Sequence, residues 1–163
     1  MYLIRGQHNL KLFKSRHPNV LLSGTIGNFD GLHLGHQAIL EKIKNNAQKY
    51  NAKTIVFFTE PHAAEYFSKV RDKNQIPPPR ICPWRQKFQL LKKSKIDFAC
   101  FLKFNNKLRT MSPDDFISQI LDSINLVSFT VGDDFRFGAG RKGDTDLLKN
   151  WGEEKGILVE NTE

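Results

Sequence analysis

Thr25-Ile26-Gly27-Asn28-Phe29-Asp30-Gly31-Leu32-His33-Leu34-Gly35-His36-Gln37 decides how this chain is read. The apolar run Val20-Leu21-Leu22 precedes it, and a helical pattern begins near Gln37. The order is therefore strand, glycine-rich turn, helix. The first backbone N–H groups of a helix have no intrahelical acceptor and carry partial positive charge, so such a turn suits a phosphate. Gly27, Gly31 and Gly35 permit a tight turn and close approach of a ligand to the backbone. His33 and His36, three residues apart, fall on one face of the first helical turn. Imidazoles placed there can donate hydrogen bonds to phosphate oxygens as charge develops on them. The plainer alternative is a glycine-rich turn with two surface or capping histidines.

Strand and helix patterns alternate on either side of this turn. A strand is expected over Leu21 to Ile26 and a helix over His36 to Lys49, with Ile39, Leu40 and Ile43 on one face. Lys53 to Thr59 is a β-branched and aromatic run typical of a buried strand. Ile76-Pro77-Pro78-Pro79-Arg80 must be a loop. A helix from Pro83 to Lys93 and a strand from Phe98 to Leu102 follow. Ser112-Pro113-Asp114-Asp115 carries a cap, a proline at the first helical position and carboxylates in the first turn. The helix it starts has Phe116, Ile117, Ile120 and Leu121 on one face. Further on come a strand over Leu126 to Val131, a helix over Asp146 to Lys155 and a strand over Gly156 to Glu160. This order predicts a three-layer, Rossmann-like α/β fold around a parallel sheet of about five strands. Ligands in such folds bind beyond the carboxyl ends of the strands. Four segments converge there: 27–36, 60–62, Phe104-Asn105 and 132–138.

The extended turn Gly27-Asn28-Phe29-Asp30-Gly31-x-His33-x-Gly35-His36-Gln37 resembles the H-x-G-H signature of the nucleotidyltransferase superfamily. It is similar to one branch of that superfamily, the FMN adenylyltransferase domain of bacterial bifunctional riboflavin kinase/FAD synthetases. Three further strings carry the resemblance. Phe57 to His62 is similar to the family's F-x-x-x-P-H-P stretch, with Ala63 where the family has proline. Pro78-Pro79-Arg80-Ile81 is similar to its P-x-R-L loop. Gly132-Asp133-Asp134-Phe135-Arg136-Phe137-Gly138 is similar to its G-x-D-F-x-F-G segment.

The resemblance implies transfer of the adenylyl group of ATP to FMN, giving FAD and pyrophosphate, with Mg²⁺ accompanying ATP. It implies catalysis by His33 and His36 and nucleotide binding by Gly27, Asn28, Phe29, Asp30, Gly31, His33, Gly35 and His36. It places Pro61, His62, Arg80, Asp134, Phe135 and Phe137 on the flavin side. Each has a plainer reading. His62 can be an exposed turn residue and Arg80 a surface arginine. Phe135 and Phe137 can stack on a flat ring or tuck into the core. Asp30 can anchor magnesium through water or cap the helix, and the metal ligands are unknown. Asp134 can hold a sugar hydroxyl or a metal-bound water, and Arg136 and Arg141 can face phosphates.

Full-length relatives of this kind continue to an I-S-S-T-x-I-R motif and then a riboflavin kinase barrel. Residues 1–163 are accordingly expected to be a single FMN adenylyltransferase domain, truncated at its C-terminus and lacking the kinase domain. Kinase activity is not expected, and adenylyl transfer is open to impairment. Two alternatives stay open: an H-x-G-H transferase with another phosphate acceptor, or a nucleotide- or flavin-binding module without turnover.

Bulk composition agrees with a globular domain. Of 163 residues, 39% are hydrophobic and 26% charged. No stretch suits a membrane span, and Met1 to Pro18 lacks a signal-peptide core, so a cytoplasmic location and no membrane partner are expected. Cys82 and Cys100 form neither a disulfide framework nor a zinc pattern. The net charge of +8 comes from scattered lysines without a run of five like charges, so no nucleic-acid partner is expected. ATP and FMN are the expected small-molecule partners. Oligomeric state is not legible.

Overall fold

The computed structural model describes residues 1–29, 34–60 and 84–162. Its strands are β1 (Tyr2–Arg5), β2 (Leu22–Ile26), β3 (Lys53–Glu60), β4 (Phe98–Lys103), β5 (Leu126–Gly132) and β6 (Leu158–Thr162). Its helices are α1 (Gly6–Arg16), α2 (Leu34–Lys49), α3 (Trp84–Lys93), α4 (Asn106–Arg109), α5 (Pro113–Gln119) and α6 (Thr145–Lys155). All strand pairings are parallel, in the order β1-β4-β3-β2-β5-β6.

Among the described residues, the expected sheet of about five strands thus has six. The unforeseen one, β1, lies at an edge. Only Ile4 of its four residues is buried, so it leaves almost no alternation to read. The same basic segment forms α1, which buries just Leu10 and Phe13. The other expected elements within the described residues appear with shifts of a residue or two at their ends; Ile120 and Leu121, read on the helix from Pro113, fall just past its end at Gln119, and the expected loop at 76–80 lies outside the described residues. The expected last strand starts later than read, because Gly156 closes α6 before β6 begins.

Side chains alternate across the sheet and build two apolar layers. On one face Val56, Phe58, Ala99 and Phe101 pack with Ile39, Leu40 and Ile43 of α2 and Leu91 of α3. On the other Leu22, Ile55, Phe57, Cys100, Phe129 and Val131 pack with Leu10, Phe13, Phe116, Ile117, Leu148 and Trp151. Burial of apolar surface at roughly 25 cal/mol per Å² drives this three-layer assembly.

Several polar groups inside the layers find partners. The Ser23 hydroxyl lies 2.7 Å from that of Ser128 and donates to the Ile43 carbonyl at 2.9 Å. Asp97 accepts from the Thr54 amide and hydroxyl at 2.9 and 3.1 Å, which fixes β3 against β4 at their starts. The cap read at Ser112 forms: its Oγ accepts from the Asp115 amide at 3.1 Å, with Pro113 at the first position. Trp151 donates its indole N–H to Asp122 at 2.9 Å.

The strand order sets the site. From β2 the chain steps one way to β3 and β4, then returns to the other side of β2 with β5 and β6. Strands β2 and β5 are therefore the pair at which the winding reverses, and a crevice opens at their carboxyl ends.

Candidate active site

A cavity of about 860 Å³ lies at that crevice. Ile26, Gly27 and Asn28 leave the end of β2, Thr59 the end of β3, and Phe104 the end of β4. The segment from Asp134 to Arg141 after β5 forms the facing wall. Motifs more than a hundred residues apart in sequence thus border one space of the size that small-molecule sites occupy.

The wall after β5 is built rigidly. The Phe135 amide donates to the Gly132 carbonyl at 3.1 Å, closing a turn. Phe137 and Gly143 exchange backbone hydrogen bonds of 3.1 and 2.8 Å. The Ala139 amide donates to the Met111 carbonyl at 2.7 Å, tying the wall to the start of α5. Gly138 has φ +78, and a side chain there would strike the Pro113 backbone nitrogen at 2.7 Å, so glycine is required.

The two phenylalanines of this wall divide the work. Phe137 is buried among core residues and meets the Phe116 ring at 5.3 Å. Phe135 is half-buried and lies almost parallel to Phe137, with centroids 5.7 Å apart and 13° between planes. Phe135 is the outer, less buried member of the stack, although both residues border the cavity. Asp134 is exposed beside it.

The turn after β2 is described up to Phe29 and again from Leu34. The Gly27 amide donates to the Phe57 carbonyl at 3.1 Å, which extends the β2–β3 ladder by one residue. Asn28 is exposed at the cavity. Phe29 is only 1% exposed, so it offers a ligand its backbone and not its ring. Gly35 and His36 open α2, where Gly35 is exposed and His36 half-buried. His36 is not one of the residues that border the cavity, but its ring meets that of Phe29 at 5.0 Å. Asp30, Gly31, His33, Pro61, His62 and Arg80 lie outside the described residues.

Arg109 and Thr110 also border the cavity, and neither figured among the expected site residues. They stand at the end of α4, a single turn whose signal is the cap at Asn105: its side chain accepts from the Leu108 amide at 2.9 Å. The Arg109 guanidinium donates to the Asn106 side chain at 2.7 Å. Arg136 and Arg141 stand on the facing wall. Arg136 reaches Asp144 at 3.8 Å with both side chains about half exposed, so that pair holds it only weakly. Three guanidinium groups therefore give the cavity a positive field suited to phosphates.

Among the described residues, no group of three or more His, Cys, Asp or Glu side chains is placed to hold a metal ion. Asp134 is the carboxylate among the described cavity residues. Burial pushes the Cys100 thiol far above its ordinary range, which leaves it unreactive and away from the site.

The model of the FAD synthetase family matches residues 15–163. This chain belongs to the FAD synthetase family. It is 38% identical, over its whole length, to the bifunctional riboflavin kinase/FMN adenylyltransferase of Escherichia coli K12 and covers 50% of that protein. It is 36% identical to the Haemophilus influenzae protein of the same name, with 99% of the chain and 49% of the relative covered. The chain spans about half the length of the curated relatives it matches.

Two solved structures share the fold at low identity. One is a protein named macrolide-efflux protein from Streptococcus pneumoniae, with TM-score 0.78, 19% identity and all of this chain aligned to 58% of that one. The other is pantoate-beta-alanine ligase from Francisella tularensis, with TM-score 0.56, 13% identity and 99% of this chain aligned to 66% of that one. No described helix of the chain is long and apolar enough to cross a membrane.

Proposed function

We propose that this chain, acting as a single domain over residues 1–163, transfers the adenylyl group of ATP to FMN, giving FAD and pyrophosphate. The observation that carries the reading is the cavity at the β2–β5 reversal, bordered by the turn after β2 on one side and the Asp134–Phe137 wall on the other. Membership of the FAD synthetase family supports it.

The FMN phosphate is largely ionised near neutral pH, since such a monoester's second pKa is about 6, so its oxygen is a nucleophile without a general base. It attacks the α-phosphorus of ATP in line, and the bond to the β-phosphate bridging oxygen breaks as pyrophosphate leaves. Positioning and charge stabilisation supply the catalysis. His33 and His36 hydrogen-bond the ATP phosphates and steady the charge of the transition state. The amides of residues 27–31 and the start of α2 cradle the nucleotide. Phe135 offers its outer face to the isoalloxazine ring, while Phe137 backs it. Pro61, His62 and Arg80 complete the flavin side.

Magnesium fits here as a passenger of ATP, because Mg²⁺ takes few protein carboxylates and keeps several waters. The residues present suit that mode: Asp134 can receive a metal-bound water, and no resident cage is needed. Bound in this way, Mg²⁺ would offset the charge on the departing pyrophosphate. The chain would act in the cytoplasm on ATP and FMN, without a nucleic-acid partner.

The test is direct. The chain is incubated with ATP, Mg²⁺ and FMN, and FAD is followed by chromatography beside pyrophosphate release. FAD in step with pyrophosphate supports the proposal. Binding of another phosphate acceptor without competition from FMN would overturn it.

A further inference from the structure

Phe29 has a geometry that an ordinary core phenylalanine does not need. Its φ is +54, a left-handed backbone that bulky residues rarely adopt. Phe58 and Phe101 fill the same layer from regular strands. At Phe29 the left-handed turn folds the ring back beneath the end of β2. A side chain on Gly27 would lie 2.9 Å from Phe29 Cε2, so the ring rests directly on the Gly27 backbone. On its other side the ring meets the His36 imidazole at 5.0 Å, tilted by 46°. Below, it joins Ile39, Leu40 and Ile43, the residues of α2 just past His36.

These contacts form one continuous linkage. Gly27 is bonded to the sheet through Phe57, Phe29 is seated on Gly27, and His36 is seated on Phe29. Strain of this kind persists only where its surroundings over-determine it, and it gathers at functional sites.

We propose that Phe29 is a positioning residue: its ring sets the His36 imidazole relative to the end of β2. This rests on the adenylyl-transfer reading given above. Phe29 touches no substrate with its side chain and acts through His36. Misplacement of a catalytic group by about 1 Å costs on the order of 10²-fold in rate.

The test compares wild type, Phe29→Leu, His36→Ala and the double variant in the full chain. FAD formation, thermal unfolding and the His36 ring-proton resonances are measured for each. Expected for Phe29→Leu are a folded chain, a loss of the ring-current shift on His36, and a fall in kcat of roughly tenfold or more with KM for FMN little changed. In the His36→Ala background the same substitution should cost nothing further, because effects routed through one residue do not add. Should Phe29→Leu fail to fold, Phe29→Met carries the same comparison. An unchanged kcat, an unmoved imidazole, or a penalty that multiplies in the His36→Ala background overturns the inference while leaving the reaction intact. A wild type that makes no FAD removes the reaction and the inference with it.

Discussion

Phe135 and Phe137 stand two residues apart in one loop, and their alanine variants should fail in opposite ways. Phe137 is 6% exposed, packs on Phe116 and carries the backbone bridge to Gly143. Removing a buried phenyl ring costs about 3–5 kcal/mol. For a chain of this size each kcal/mol lowers Tm by roughly 2–4 °C, so Phe137→Ala should melt about 6–20 °C early. Phe135 is half-buried and contributes one offset stack, worth about 0.5–1.5 kcal/mol. Its alanine variant should lose only a few degrees. The ring's outer face is what a flavin would lie on, at about 1–3 kcal/mol by analogy with base–aromatic stacking. The Kd for FMN should then rise by roughly 5- to 150-fold, at tenfold per 1.4 kcal/mol. Differential scanning fluorimetry gives the first quantity, and quenching of flavin fluorescence on titration gives the second. The reasoning fails if Phe135→Ala binds FMN as wild type does, or if the two variants show the same balance of lost stability and lost affinity.

Three further outcomes are expected. His36→Ala should lower kcat for FAD formation by about 10²–10³-fold, the usual cost of one transition-state donor, while Tm in a melting scan moves by a few degrees at most. Ser112→Ala removes the cap on the Asp115 amide and should cost about 1 kcal/mol, or roughly 2–4 °C, in the same scan. Cys100 has its thiol raised from an ordinary value of 9.0 by burial, so the unfolded chain releases that proton first as pH rises. The stability contributed is complete below pH 9 and falls above it; denaturant titrations at pH 8 to 10 should show a decline that Cys100→Ala reduces.

The alternation of strands and helices was legible because the central strands are buried on both faces. Lys53 to Thr59 could be little else, and Ser112-Pro113 announced its helix through local hydrogen-bond chemistry. Edge elements carry no such pressure. Tyr2–Arg5 needs one buried side chain, so its membership of the sheet is settled by pairing with Phe98–Phe101, far along the chain. The site divided in the same way. Gly27, Asn28, Asp134 and Phe135 were visible as turn chemistry at strand ends. Arg109 and Thr110 were not, since what brings them to the cavity is a one-turn helix behind the Asn105 cap. The inward rotation of Phe29 was equally hidden, because a positive φ at a bulky residue is decided by what surrounds it.

The pairing of β1 with β4 also governs how the chain can be made. Tyr2 finds its partner at Phe98, and Gln7 bonds Lys103 across 96 residues. At a synthesis rate of about 5–20 residues per second, the first strand waits roughly 5–20 s for the strand it must lie beside. During that interval its hydrogen-bonding groups are open to other strands. A short, basic edge with a single buried side chain is poorly equipped to capture a wrong partner. The feature that made β1 hard to read is also what lets it wait.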